Sequence, residues 1–273
     1  MTTVNWRFLG IIHSSSILFS LILIFSILLF VRNCRKLYRN INLGKDINRY
    51  DNSNLRFKKM IRLAFGQSKM VKRPIAGILH IIVYVGFIII NIEVIEIIID
   101  GLFGTHRIFK SLGTLYAFLI GSFEILAVLV LISVLIFWLR RNVIKIKRFL
   151  NPEMQGWPKS DGNYILYFEV VLMLLFLLMN ATDLNFQANN AGNIISQFIY
   201  PFFININPSN LHIIERVCWW LHISGILVFL NYLYYSKHLH ILLAFPNTYL
   251  GSVLPKGQFD NLSSVTNEVK IML

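Results

Sequence analysis

The segment from Ile213 to Phe245, IIERVCWWLHISGILVFLNYLYYSKHLHILLAF, places His222, His238 and His240 in an apolar stretch long enough to cross a membrane. Ionisable side chains are costly in a bilayer and concentrate where function requires them. An α-helix advances about 100° and 1.5 Å per residue. His222 and His240, 18 residues apart, therefore leave the same face, about 27 Å from each other along the axis, close to the ~30 Å hydrocarbon core. His238 falls roughly 160° away from that face and is expected to serve a different environment. Two imidazoles on one face, one near each membrane surface, suit two stacked redox centres, each needing a second axial ligand from another helix. The plainer reading makes Trp219, Tyr232, Tyr234, Lys237 and His238 interfacial belts, with His222 a hydrogen-bonded interior residue.

The chain of 273 residues is 56% hydrophobic and 14% charged, with mean hydropathy +0.61, which excludes an ordinary soluble domain. Its net charge of +13 does not point to nucleic acid, because the basic residues lie between apolar runs, where they orient a membrane protein. Cys34 and Cys218 form no CxxC pair, so no disulfide framework and no iron–sulfur cluster is expected in this chain.

Five apolar runs predict spans at about 9–31, 75–99, 114–138, 163–183 and 213–243. The first has a single Arg7 before it and Arg32, Arg35, Lys36 and Arg39 after it, the reverse of a cleaved signal peptide. The segment from Arg32 to Arg73 holds 13 of the 26 basic residues. With Arg140, Arg141, Lys145, Lys147, Arg148 and Lys159 in the next such loop, and Lys237, Lys256 and Lys270 at the end, 22 of 26 fall on one side. By the positive-inside rule that side is cytoplasmic. The expected fold is an all-α integral membrane protein, a five-transmembrane-helix bundle with its N-terminus outside and its C-terminus cytoplasmic. Residues 1–245 form the membrane domain and 246–273 a cytoplasmic linker-like tail. Within the first cytoplasmic loop, RFKKMIRLAFGQ reads either as an amphipathic helix on an anionic leaflet or as a solvated basic face.

On this topology His80 lies near the cytoplasmic face, on the same side as His240, and two neutral imidazoles facing across a bundle can hold haem iron from both axial positions. Glu93, Glu96 and Glu124 fall in the outer half, as quinol proton acceptors or as hydrogen-bonding groups inside the bundle. Glu169 reads as a solvated or paired carboxylate at a helix end, and His106 and His212 as loop histidines.

ILHIIVYVG on the second span and WLHISGILVFLNYLYYSKHLHI on the fifth resemble the cytochrome b-like gamma subunit of respiratory nitrate reductase. GQSKMVKRPIAGILHIIVYVGF, FWLRRNVIKIKRFL and YYSKHLHILLAFPNTY are more similar still to the amino-terminal membrane half of bacterial iron–sulfur-binding oxidoreductases related to heterodisulfide reductase. The resemblance implies b-type haem between the second and fifth spans, with His80 and His240 holding the cytoplasmic-side haem iron and His222 on the fifth-span side of an outer haem. The second-span ligand of that outer haem belongs ten residues after His80, where this chain has Ile90. One haem b is therefore implied, and two if His222 finds another ligand such as His106, His212 or a methionine. In such relatives the stretch after LSSVTNEVK leads into a soluble domain with clustered cysteines, whereas this chain stops at Leu273. The iron–sulfur domain is thus expected as a separate partner or as a lost segment.

The resemblance makes the chain a multi-pass subunit of the bacterial inner (cytoplasmic) membrane, not a complete enzyme alone. It would pass electrons between quinone or quinol and a cytoplasmic iron–sulfur protein, with membrane lipid around it and no nucleic acid partner. Lys69, Lys72 and Arg73 would meet lipid phosphate or haem propionates. The alternatives are a haem-free membrane anchor for a cytoplasmic oxidoreductase and a small cation or proton transporter.

Overall fold

The computed structural model describes residues 6–45, 49–189, 192–254 and 262–273, with side chains described from Ser14 onward. Among the described residues all regular structure is helical, and the chain divides into two compact units, Met1–Lys45 with Met70–His240 and Asp46–Lys69 with Ile241–Leu273.

The first unit contains α1 (Trp6–Ile41), and the second contains α2 (Ser53–Met60), which runs on into a π turn over Ile61–Phe65. The first unit then continues through α3 (Pro74–Phe103), α4 (Thr114–Asn142), α5 (Trp157–Thr182), α6 (Leu184–Asn189), α7 (Ser196–Ile199) and α8 (Pro208–Tyr232). It ends at His240, the first residue of α9 (His240–Tyr249), whose remainder belongs to the second unit with α10 (Ser263–Met272). Five helices are long and apolar enough to cross a membrane: Ser14–Ile41, Pro74–Phe103, Thr114–Asn142, Trp157–Thr182 and Pro208–Tyr235. They pack as a ring in which α1 touches α3 and α8, α3 touches α4, α4 touches α5 and α5 touches α8. Ile120, Phe123, Ala127, Phe176 and Ile223 fill the interior. Large apolar side chains such as Phe25, Leu28, Phe118, Ile132 and Val171 point outward, the inverse of a soluble bundle and the arrangement a lipid solvent requires.

Several helices overrun the expected spans. α1 continues through Arg32–Arg39, because nothing in that basic run breaks a helix. α5 begins six residues before the expected start at 163, with Pro158 in its first turn, where a missing N–H costs nothing. Glu169 is consequently twelve residues into α5 rather than at a helix end, about 18 Å from the start of the helix. It shares a helix face with buried Ile165, Leu172 and Phe176.

The largest departure is in the fifth span. The continuous helix expected over 213–243 is interrupted: α8 ends at Tyr232, a short 3-10 turn covers Leu233–Tyr235, Ser236 is extended (φ −102°, ψ 155°), and a second 3-10 turn covers Lys237–Leu239. The five-turn registration of His222 with His240 therefore does not describe this chain.

In the second unit Arg56 is 2% exposed. Its guanidinium donates to the carbonyls of Tyr249 (3.3 Å) and Gly251 (2.9 Å), to the Asp51 carboxylate (2.6 Å) and, through Nε, to the Asp51 carbonyl (2.7 Å). Lys59 donates to the Ser252 carbonyl, and Phe65 stacks on Phe245 with ring centroids 4.9 Å apart. The stretch after Pro246, expected as a linker, is thus partly built into a small unit around one buried cation. Replacing Arg56 with alanine takes the donor from three carbonyls, those of Asp51, Tyr249 and Gly251, a loss of about 1–3 kcal/mol for each that stays buried. Hydrogen exchange at residues 250–254 of Arg56→Ala should accelerate at least tenfold, while exchange in α4 stays unchanged.

Candidate functional site

The interruption after α8 brings histidines together. Asp161, 1% exposed and the fifth residue of α5, accepts the Tyr232 hydroxyl on one carboxylate oxygen (2.6 Å) and the Lys237 backbone N–H on the other (3.1 Å). Both donors lie across the break, so Asp161 holds its two sides. The Ser236 hydroxyl accepts the His238 N–H (3.0 Å), and His240 Nδ1 pairs with the Lys237 carbonyl (2.9 Å). A carbonyl can only accept, so His240 Nδ1 donates in this pair, which in the neutral ring leaves the lone pair on Nε2.

The His238 ring lies edge-on to His240 with centroids 5.3 Å apart and against Phe229 at 6.5 Å. The expectation that His238 and His240 serve different environments is therefore overturned, because it assumed a helix that the chain does not form. Burial, with the neighbouring His240 second, pushes His238 down to about 4. His80, half-buried on α3, lies within electrostatic range of both His238 and His240. The Nδ1 atoms of His80 and His238 are buried without a hydrogen-bond partner.

His222 is 1% exposed and set apart from that cluster. Its Nδ1 pairs with the Leu172 carbonyl (3.0 Å), its ring packs near Phe176 (6.2 Å), and its Nε2 has no partner. Ile90 is buried in the same core. His106 and His212 are engaged elsewhere: His106 Nε2 pairs with Asp183 (3.1 Å), and His212 lies 3.7 Å from Glu215.

At the opposite ends of the spans, buried carboxylates tie the connecting loops to the helices. Asp100 accepts the backbone N–H groups of Arg107 (2.6 Å) and Ile108 (3.2 Å). Glu96 accepts those of Phe109 (2.9 Å) and the Tyr116 hydroxyl (3.1 Å). Glu124, fully buried, accepts the Asn180 amide (3.0 Å) and the N–H groups of Ile195 (2.7 Å) and Ser196 (3.1 Å). Glu93 is also buried, and its Oε2 has no partner. Arg107 joins the set by donating to Asp183 (2.8 Å), Asn180 (2.9 Å) and Tyr116 (3.3 Å) while lying 4.2 Å over the Phe186 ring. A cavity of about 640 Å³ opens beside this network, floored by Phe19, Trp219 and Trp220 and edged by Asp100, His106 and Asp183.

Asp161, Arg107, Asp183 and Asn180 were not singled out from sequence. Two of them, Arg107 and Asp183, sit beside span ends with opposite charge, which was the available signal. Among the described residues no group of three or more His, Cys, Asp or Glu side chains is arranged to hold a metal ion. Cys34 and Cys218 are free thiols.

These features define a multi-pass helical membrane protein with an imidazole cluster at one end and a carboxylate-tied polar network at the other. It is similar to the probable iron-sulfur-binding oxidoreductase FadF of Bacillus subtilis (strain 168), at 27% identity over 267 residues. The match covers 96% of this chain and 36% of FadF, so the chain spans about a third of the length of that relative. No family model and no solved structure matches.

Burial pushes the Asp183 carboxyl up, but the His106 hydrogen bond and the Arg107 charge outweigh it and hold the group well below the usual carboxylate range. A depressed carboxylate stabilises the fold above its unfolded pKa, about 3.9, and that stabilisation is lost as pH falls toward the native value. Asp183→Asn, which leaves Arg107 buried without its counter-charge, should cost about 3–5 kcal/mol at neutral pH. Thermal melting in detergent, followed by tryptophan fluorescence, should show that the penalty shrinks below about pH 4. A penalty independent of pH would contradict the charge-based account.

Proposed function

We propose that this chain is the membrane-embedded electron-transfer part of a quinone-linked iron–sulfur oxidoreductase, with b-type haem held between His80 and His240. The observation that carries the reading is that His80 lies within electrostatic range of His240, whose Nδ1 donates to the Lys237 carbonyl. An imidazole holding haem iron would offer the lone pair of one nitrogen while the other keeps a fixed donor bond, and His240 has that donor bond in place. At His80 a buried ring nitrogen has no protein partner, which suits a group arriving from outside the chain. Both residues would hold the iron through imidazole nitrogen, and the group would supply one-electron transfer there. Asp161 positions the 236–240 backbone, and therefore the His240 ring, while the neutral ring of His238 packs beside it.

We place the histidine end on the cytoplasmic side of a bacterial inner membrane, because 22 of the 26 basic residues lie in segments on that side. The iron–sulfur partner docks there, a role supported by the name of the relative that spans this chain. Quinone or quinol belongs at the other end, where the cavity offers an aromatic floor. Of the three glutamates, Glu96 and Glu124 are committed to loop N–H groups, so Glu93, which has an unengaged oxygen but does not line the cavity, is the one left to take up a proton in this account. His222 Nε2 is buried without a hydrogen-bond partner. A second reading, a haem-free anchor, is favoured by the tight packing of His222 and Ile90 in an apolar core.

His240→Ala should lose b-type haem, measured as pyridine haemochrome per purified chain, whereas His238→Ala should retain more than half. Asp161→Ala, which touches no ligand but frees the break, should lower haem occupancy severalfold and broaden the low-spin electron paramagnetic resonance signal. Full haem retention in His240→Ala would overturn the assignment.

A further inference from the structure

The exposed surface of the second unit carries a feature that electron transfer does not use. Over Ser53–Phe65, buried Arg56 and Ala64 mark the inward face. The flank next to that face presents Phe57, Ile61 and Phe65, each four residues from the next and 53%, 41% and 49% exposed. Beside this stripe run Lys58 and Arg62, again four apart and both exposed. Residues at that spacing stack along one side of a helix. An apolar stripe bordered by a basic one matches a helix lying in the plane of a membrane interface.

Water as the occupant would leave about half of three large apolar side chains uncovered. A second copy of the chain would set Lys58 and Arg62 against their own kind, and the stretch 49–69 holds Arg49, Arg56, Lys58, Lys59, Arg62 and Lys69 against the single acid Asp51. An acidic soluble protein would answer the cations alone. Anionic lipid answers both stripes, with phosphate for the cations and acyl chain for the rings. Chain connectivity agrees, because α1 ends at Ile41 and α3 begins at Pro74, and both helices are spans, so the segment leaves and re-enters the membrane over a short stretch of chain. The Arg56 bonds to Tyr249 and Gly251 keep the helix folded as it is presented.

We propose that Phe57, Ile61 and Phe65 insert into the apolar boundary of an anionic lipid surface while Lys58 and Arg62 bind its headgroup phosphates. The test uses the full chain, with Cys34 and Cys218 changed to serine and a nitroxide attached through Phe57→Cys or, separately, Ile61→Cys. Each is reconstituted in discs of phosphatidylglycerol with phosphatidylcholine, or of phosphatidylcholine alone. Both labels should be accessible to oxygen and shielded from a water-soluble nickel complex in the anionic discs, and exposed to nickel in the neutral ones. Adding Lys58→Gln and Arg62→Gln should shift the inserted fraction by about fivefold for each charge removed, the equivalent of ~1 kcal/mol per basic residue. Nickel access in both lipids would overturn the proposal in favour of a solvated face, and shielding that appears only with an added acidic protein would overturn it in favour of a protein partner. Equal shielding in both lipids would remove the phosphate contacts from it.

Discussion

A carboxylate buried among membrane-spanning helices has to be answered by donors, and much of this protein is arranged around that requirement. Isolated side-chain hydrogen bonds between transmembrane helices contribute only about 0.6–2 kcal/mol, so one of them does not hold a bundle together. Here the acids work in sets. Asp100, Glu96 and Glu124 each accept two or more donors, most of them backbone N–H groups of the segments that join the spans. Without those acceptors the N–H groups would be left unpaired at the edge of an apolar medium, where the loss is several kcal/mol apiece. Arg107 links these pairs into one network through Asp183, Asn180 and Tyr116.

The same device operates once at the other end, with a different result. Asp161 draws the Lys237 N–H away from helical pairing and ends the straight course of the fifth span. The turn that follows puts the His238 and His240 rings 5.3 Å apart and gives His240 a carbonyl partner for Nδ1. One carboxylate near the start of α5 thereby decides where an imidazole far along the chain points. The polar ends are rigid for opposite purposes: one closes loops over an aromatic-floored cavity, and the other presents ring nitrogens.

The spans were legible in the sequence because hydropathy over about 20 residues is a strong signal that does not depend on tertiary partners. Their ends were not. The stretch WPKSDG reads as a loop by composition, yet Pro158 begins a helix and Asp161 is pinned by residues 71 and 76 positions later. No local pattern announces such a bond. The break at Ser236 was hidden for the same reason: YYSKHLH contains neither Gly nor Pro, so the helical period ran on through it and gave a registration of His222 with His240 that the chain does not adopt. The choice of His80 and His240 rested on residue type and resemblance rather than on that registration and stands independently of it. The glutamates were visible as buried acids, but their loop partners were visible only in the fold.

The central claim is that His80 and His240 share one haem. A reduced-minus-oxidised visible spectrum of the detergent-purified wild-type chain, expressed in a haem-replete host and combined with haem-to-protein stoichiometry, tests it most directly. The account predicts low-spin b-type bands at one haem per chain, with Ile90 accounting for the lack of a second. A chain purified with its fold intact and no haem absorbance would contradict it and leave the anchor reading in its place.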